Sequence, residues 1–535
     1  MEFDYVIVGG GSAGSTLAAR LSADESVTVC VIEAGGDGKS ILVRMPIAVA
    51  AMLPGRPRIN NWAFQTISQP GLGGRKGYQP RGKALGGSSA INAMLYVRGH
   101  PSDYDEWASN GAAGWGWSDV LPFFKFSESN SRGNEPLHGT KGPLQVGEQQ
   151  SPRSISRAFV DACEQSQIRR NEDFNGATQE GAGLYQVTQF RDGEKRGERC
   201  SAAAAYLHPV MSRPNLHIIT SAHATGIELT GKRATSVSYR HGGVVKSVRA
   251  RREILLAGGA FNSPQLLMLS GIGPAANIVG HGIEVRHDLP GVGRNLQDHV
   301  DFIQLWKSLD TDMLGIGLTG MLNIFKALLE WRRTGTGLAA TPGAEGGAFI
   351  RSHPELSKPD LQLHFVPGLV DDHFRKLHLG HGYSCHVCVL RPFSRGDVQL
   401  ESADPLAPPR IDPNFFSDER DMASLVAGTR ITQRILAAPA FAKYRHKQLY
   451  LNGNESDAEL VSHIRSRADT IYHPVGTCRM GRDEFAVVDP ALRVRGIDGL
   501  RVIDASVMPT LIGGNTNAAT IMIAEKASHM IRTGA

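Results

Sequence analysis

Apolar residues run unbroken from Tyr5 to Val8 and stop at Gly9, Gly10 and Gly11. They return in "VTVCVIE", which ends at Glu33. A short β-branched run bounded by glycine predicts a buried parallel strand. The stretch between, from Ser12 to Ser22, predicts a helix. "RREILLAGG" (Arg251 to Gly259) and "GLRVIDASVMP" repeat the pattern of apolar run into turn, and Asp504 ends the second run. "GGNTNAATIMIAEKASHMI" predicts a helix starting at Thr516 or Asn517, small residues first. "PDLQLHFVPGLV", "YSCHVCVLRPFS" and "GDVQLESADP" predict successive antiparallel strands.

The glycines after the first strand fit GxGxxG. Gly9 allows a tight turn, Gly11 lets backbone approach a pyrophosphate, and Gly14 lets helix and strand pack closely. The helix start, with Ser12 and Ala13, would aim free N–H groups at phosphate. Glu33, followed by Ala34, would accept hydrogen bonds from ribose hydroxyls and repel a 2′-phosphate. These residues predict a dinucleotide site and leave FAD and NAD both open.

Composition narrows the class. A chain of 535 residues predicts two intimate domains. A net charge of +5, from 57 basic and 52 acidic residues, is too small and scattered for nucleic-acid binding. Six cysteines are no disulfide framework. Cys30 falls in the second strand, Cys163 in a helical pattern, and the Cys385/Cys388 pair in a strand; no metal site is expected. No charged leader or cleavable apolar stretch precedes the first strand, and no uninterrupted apolar run suggests a membrane span. A cytoplasmic location is expected.

"RGKALGGSSAINAMLYVRG" (Arg81 to Gly99) is a second glycine loop, with bare N–H groups at Gly86 and Gly87 and hydroxyls at Ser88 and Ser89. A flat ring lying against backbone needs such a loop, so flavin is favoured. The stretch resembles the first signature of the glucose–methanol–choline oxidoreductases, flavoproteins that oxidise alcohols. Gly82, Lys83, Leu85, Gly86, Gly87, Ser88, Ser89, Ile91, Asn92, Tyr96, Gly99 and Asp105 carry the resemblance. "GAFNSPQLLMLSGIG" (Gly259 to Gly273), "GVGRNLQDH" (Gly291 to His299) and "YHPVGTCRMG" extend it along the chain.

The resemblance implies an α/β fold: a Rossmann-like FAD domain with a parallel sheet, and an α+β substrate domain with an antiparallel sheet. The FAD domain is expected at 1–155, 210–300 and 465–535, the substrate domain at 156–209 and 301–464. Expected FAD contacts are the glycine motif through Ala34, then Trp62, Gly86, Gly87, Ser89, Asn92, Ala93, Met94, Leu95, Ala224, Ala257, Asp504, Ala505, Asn515 and Thr516. Some relatives attach FAD through a histidine where this chain has Ile91, so non-covalent FAD is implied.

The resemblance also places a catalytic histidine at His473, in a Pro/Gly loop, and its partner at Asn517. Histidine is the natural base because it titrates near neutrality. His299 is expected to be structural, and His386 an ordinary strand residue. The implied reaction is oxidation of primary alcohols to aldehydes, with a long or polymeric neutral alcohol as substrate, and the pattern is most similar to bacterial choline, long-chain alcohol and polyethylene glycol dehydrogenases. Choline dehydrogenase, an oxygen-using oxidase of the aryl-alcohol or hydroxymethylfurfural type, and a non-redox lyase are the alternatives. A quinone, cytochrome or dye-like electron acceptor is expected before oxygen; a homodimer and peripheral membrane contact stay open.

"MLGIGLTGMLNIFKALLEW" (Met313 to Trp331) is strongly apolar, with Met321, Ile324, Phe325 and Leu328 at helical spacing. It is expected to be a core helix after a loop; the alternative is a lid or apolar mouth over the substrate channel.

Overall fold

The computed structural model describes residues 1–133 and 136–534. Its first large sheet grows from the opening motif. Glu2–Val8 lies between Val29–Ile32 and Val244–Leu256, parallel to both. Leu216–Ile219 and Leu500–Val502 extend the sheet in parallel, and Ala222–Thr230 with Arg233–His241 adds an antiparallel edge. Helices Ser12–Leu21 and Thr516–Thr533 pack beside it. Val29–Ile32, Leu500–Val502, the first strand from Asp4 to Val8 and the end of Val244–Leu256 from Ile254 are buried, as their apolar runs predict.

The second sheet is antiparallel, in the order Lys447–Leu449, Val300–Ser308, Gly380–Val389, Leu361–Val366, Gly346–Ile350 and Gly181–Leu184. It has its own core, in which Phe159 stacks on Phe365 and Tyr383 on Phe441. Cys30, Cys163, Cys385 and Cys388 are all buried in the predicted element types. Among the described residues no cluster could hold a metal.

Two expectations are corrected. Gly396–Gln399 is not a strand of the second sheet; it pairs with Arg294–Leu296 and Arg410–Asp412 in a small sheet of its own. Pro392, which has no N–H for a ladder, follows the end of the Gly380–Val389 strand, and the chain turns away there. The Leu318–Thr334 helix is not a core helix. It buries Gly320 and Ala327, while Met321 and Phe325 stand in solvent. The segment supplies no side chain to the central cavity described below, and Met313 itself is buried in the second core.

Candidate active site

One deep cavity runs between the sheets, beginning at the carboxyl ends of the parallel strands, at Val8, Ile32, Leu256 and Asp504. Open α/β sheets bind ligands at this end. Gly9 adopts φ +99°, a left-handed turn that favours glycine. A Cβ on Gly14 would stand 1.8 Å from the Gly9 carbonyl oxygen, so this glycine serves helix–strand packing. A Cβ on Gly11 would meet no protein atom closer than 3.7 Å, yet Gly11 lines the cavity. The space its missing side chain leaves belongs to a ligand.

The second loop explains itself against the first. A Cβ on Gly87 would lie 2.7 Å from the Gly11 Cα, so the two loops meet backbone to backbone. Gly86 and Gly87 have φ of +92° and +52°. Two helix N-termini converge on the turn, where Ser12 Oγ donates to Asn517 Oδ1 at 2.7 Å. Both helix starts line the cavity, with bare N–H groups and positive dipole ends suited to a pyrophosphate.

Glu33 is buried and accepts from the backbone N–H of Gly10 at 2.9 Å and of Gly35 at 2.7 Å. Its carboxylate therefore braces the turn as well as lining the cavity. Asp504 accepts from Gly259 N–H, Ser263 Oγ and Ser506 N–H, tying three segments together. Gly9, Gly11, Ser12, Ala13, Glu33, Ala34, Trp62, Gly87, Asn92, Ala93, Met94, Leu95, Ala224, Ala257, Asp504, Ala505, Asn515 and Thr516 all line the cavity. Gly14, Gly86 and Ser89 do not. Ser89 Oγ instead donates to the Gly86 carbonyl and accepts from Ala202 N–H, holding the second loop from behind. The cradle fits a flavin dinucleotide: glycine backbone, two helix starts and an acid beside the turn.

The opposite end is assembled from distant segments. His473 lines the cavity, and its backbone N–H donates to Asp298 Oδ1 at 2.9 Å. Its Nδ1 lies 2.9 Å from Nδ1 of His299. His299 Nε2 lies 3.1 Å from the Leu390 carbonyl, an acceptor only, so Nε2 carries the proton. Burial holds His299 neutral, pushing its pKa down to about 3. Its Nδ1 is then an acceptor, and His473 must donate to it from Nδ1–H. That leaves the His473 lone pair on Nε2. Burial and, secondarily, the neighbouring histidines also push His473 well below the usual range. It stands at neutral pH as an unprotonated base.

Asn515, not Asn517, meets that base: Nδ2 lies 3.2 Å from His473 Nε2. Gln362 Nε2 donates to Asn515 Oδ1 at 3.0 Å, which turns the amide nitrogen toward the histidine. Asn517 is held at the glycine turn by Ser12, one end of the cavity away in function. Asn515 stands at the N-cap position of the last helix without a side-chain capping bond and Asn517 lies inside its first turn, so two residues of register separate the two contacts.

His299 is thus more than structural, and His386 more than a strand residue. His386 lines the cavity while its Nδ1 contacts Asp301 Oδ2 at 2.7 Å. His364, its cross-strand partner, also lines the cavity, and neither of its ring nitrogens has a protein partner. A histidine flanked by apolar residues in a buried stretch of strand was the available signal for both.

Two family models described as GMC oxidoreductase match residues 3–301 and 392–524. An "alcohol dehydrogenase [acceptor]" of Pseudomonas putida is 46% identical, covering 99% of this chain and 95% of that protein. An "oxygen-dependent choline dehydrogenase" of Brucella anthropi is 43% identical over 99% and 96%. Among solved structures, pyridoxine 4-oxidase from Mesorbium loti superposes with a TM-score of 0.88 at 32% identity, over 99% of each chain. A formate oxidase of Aspergillus oryzae gives 0.91 at 27%, over 100% and 98%. Full-length kinship and the cradle's own geometry agree, and the chain belongs to the GMC oxidoreductases, FAD-binding enzymes.

Proposed function

We propose that this enzyme oxidises a neutral primary alcohol to the aldehyde, with His473 as base and Asn515 as the group that holds the alcohol oxygen. The observation that carries the reading is the Nε2 lone pair of a neutral His473 facing an amide N–H. A hydroxyl entering between them would donate to Nε2 and accept from Nδ2. Both partners gain a stronger hydrogen bond than the 3.2 Å contact they share without it. As the proton moves to Nε2, His299 Nδ1 still accepts from the resulting imidazolium. FAD, when bound, supplies the hydride acceptor.

Ile91 lines the cavity where attachment would need a histidine, which supports non-covalent FAD. The outer wall is apolar, with Val49, Leu53, Val366, Val370 and Phe374, and this suits a long or polymeric alcohol. A quaternary ammonium is disfavoured. Of the carboxylates beside this end, neither lines the cavity: Asp298 is engaged by the His473 backbone N–H and by Thr470, and Asp301 by His386. The Pseudomonas relative's name supports an acceptor other than oxygen, such as a quinone, cytochrome or dye. The pyridoxine 4-oxidase likeness supports the second reading, an oxidase.

An anaerobic panel of alcohols, scored by flavin bleaching, tests the reading. Neutral alcohols should bleach the flavin and choline should not. Oxygen is then admitted: slow recolouring with fast recolouring by a quinone favours the dehydrogenase. Bleaching by choline alone would defeat the neutral-alcohol reading.

A further inference from the structure

The Leu318–Thr334 helix turns its apolar face outward. Leu318, Met321, Leu322, Phe325 and Leu329 follow i, i+3, i+4, i+7, i+11 spacing, and all are exposed, Leu318 by 85% and Phe325 by 61%. The stripe is about 16 Å long at 1.5 Å per residue. It continues through Ile316, whose register partner is Gly380, to exposed Leu379 and Leu377 on the adjoining loop. Single exposed leucines need no explanation; a continuous band of eight large apolar side chains does.

The helix is not loose. Its inner face packs through Ala327 and Trp331 on Leu338, Met45 and Ile47, and Trp331 Nε1 donates to the Gly197 carbonyl at 2.9 Å. The apolar face is therefore fixed in position. Ile47 leads directly to Val49 and Leu53, which line the cavity's outer wall.

Charge indicates what covers the band. Lys326, Arg332, Arg333 and, on the loop, Lys376 are exposed along it. Glu330 is the helix's one carboxylate, and Thr336 Oγ1 donates to it. In the flanking loops, Asp312 is paired with Arg153, and Asp371 with Arg467, His378 and, at 4.0 Å, Lys376; Asp310 and Asp372 also lie there, so among the described residues the free cations of the edge are the three on the helix. A second copy would set the same helix cations against one another. An apolar stripe edged by cations matches an anionic bilayer surface, into which such a helix lies flat. Among the described residues no helix is long and apolar enough to cross a membrane.

We infer that this face docks the enzyme on an anionic lipid bilayer, with the Leu318–Thr334 helix lying in the interface. The experiment is vesicle flotation of the flavin-loaded enzyme, with phosphatidylcholine alone and with phosphatidylglycerol added. Binding should be clear only with the anionic lipid. Leu322→Asp with Phe325→Asp should lower the bound fraction roughly tenfold or more while flavin absorbance stays. Lys326→Glu with Arg333→Glu should remove the preference for anionic lipid. Should the aspartate pair lose flavin, Phe325→Cys carries the test. The six native cysteines are buried, so an environment-sensitive dye would label that site alone. Its emission should shift to the blue on anionic vesicles. No wild-type binding, an unchanged dye spectrum, or aspartate variants that float like wild type would overturn the proposal. So would a lipid-free dimer that the aspartate pair dissociates, since the face would then belong to a second copy.

Discussion

The two ends of the cavity are made in different ways. The pyrophosphate end starts from neighbours in sequence: Gly9, Gly11, Ser12 and Ala13 present backbone N–H groups, Glu33 braces the turn from 23 positions away, and the Gly87 loop and the start of the last helix come from afar. The reaction end brings His299, His364, His386, His473 and Asn515 together from separate segments, with 174 positions between the two histidines in contact. One end works through charge and dipole. The other works through neutrality, because burial keeps the imidazoles of His299, His364 and His473 unprotonated. A substitution can therefore weaken flavin binding at one end without altering the base at the other, and each variant below separates the two.

The largest effect should come from His473→Ala. The lone base is removed while the cradle stays intact. Anaerobic flavin reduction should slow by about 10²- to 10⁴-fold, with flavin content unchanged. Near-normal reduction would return the base to another of the clustered histidines.

At the other end, Gly11→Ala and Gly14→Ala should diverge. A Cβ on Gly11 enters ligand space and meets only distant protein atoms; one on Gly14 overlaps the Gly9 carbonyl. Gly11→Ala should fold with the melting temperature of the flavin-free protein and bind flavin roughly 10- to 100-fold more weakly, as overpacking costs about 1–3 kcal/mol. Gly14→Ala should fail to accumulate as folded protein. Equal melting temperatures for the two flavin-free variants would break the distinction between ligand space and packing space.

That contrast also explains what the sequence could tell. The glycine motif was legible because each role needs a particular residue within a few positions of the next. His473 was legible through its Pro/Gly loop and its family motif. The contact between His299 and His473 was not, since it depends on two loops brought together by folding. That Asn515 rather than Asn517 meets His473 was not legible, because a helix start is uncertain by a residue or two, and one step of the helix turns a side chain through 100°. The Leu318–Thr334 helix was misjudged for a simpler reason. Periodicity shows that a helix has an apolar face and cannot show which way that face points.

His299 should act on rate through the tautomer of its neighbour. His299→Ala removes the acceptor for His473 Nδ1–H and frees the proton to move to Nε2. Reduction should slow by roughly 10- to 100-fold, the kinetic equivalent of one lost buried hydrogen bond. His299→Gln, whose carbonyl can accept while its amide donates to Leu390, should recover much of the rate. The pH behaviour has a definite sign. Both histidines are held below their unfolded pKa near 6.5, so the unfolded chain binds more protons in acid. Their stabilising contribution is complete above pH 6.5 and falls as pH drops toward the folded values. The wild-type reduction rate should be flat through neutrality and decline only in acid. A rate that keeps rising through pH 7 would mean that His473 is protonated there and that burial does not control it.

The smallest effects should separate Asn515 from Asn517. In the proposed reaction Asn515 would hold the alcohol oxygen by one neutral hydrogen bond, and the base remains when it is cut to alanine. Such a bond is worth about 0.5–1.5 kcal/mol, or roughly 2- to 13-fold in rate. Asn515→Ala should therefore slow reduction within that range and raise KM, with flavin content unchanged. It also leaves the Gln362 amide without its partner, so Asn515→Asp, which keeps the acceptor for Gln362 but removes the donor, is the sharper probe. Asn517→Ala should leave the reduction rate of flavin-saturated enzyme unchanged. It breaks the Ser12 contact where two helix starts converge, so its effect should appear as faster flavin loss on dilution. The two asparagines lie two positions apart and face opposite ends of the cavity. If Asn517→Ala slowed reduction as much as Asn515→Ala, the division of the cavity into a binding end and a reacting end would not hold at this helix.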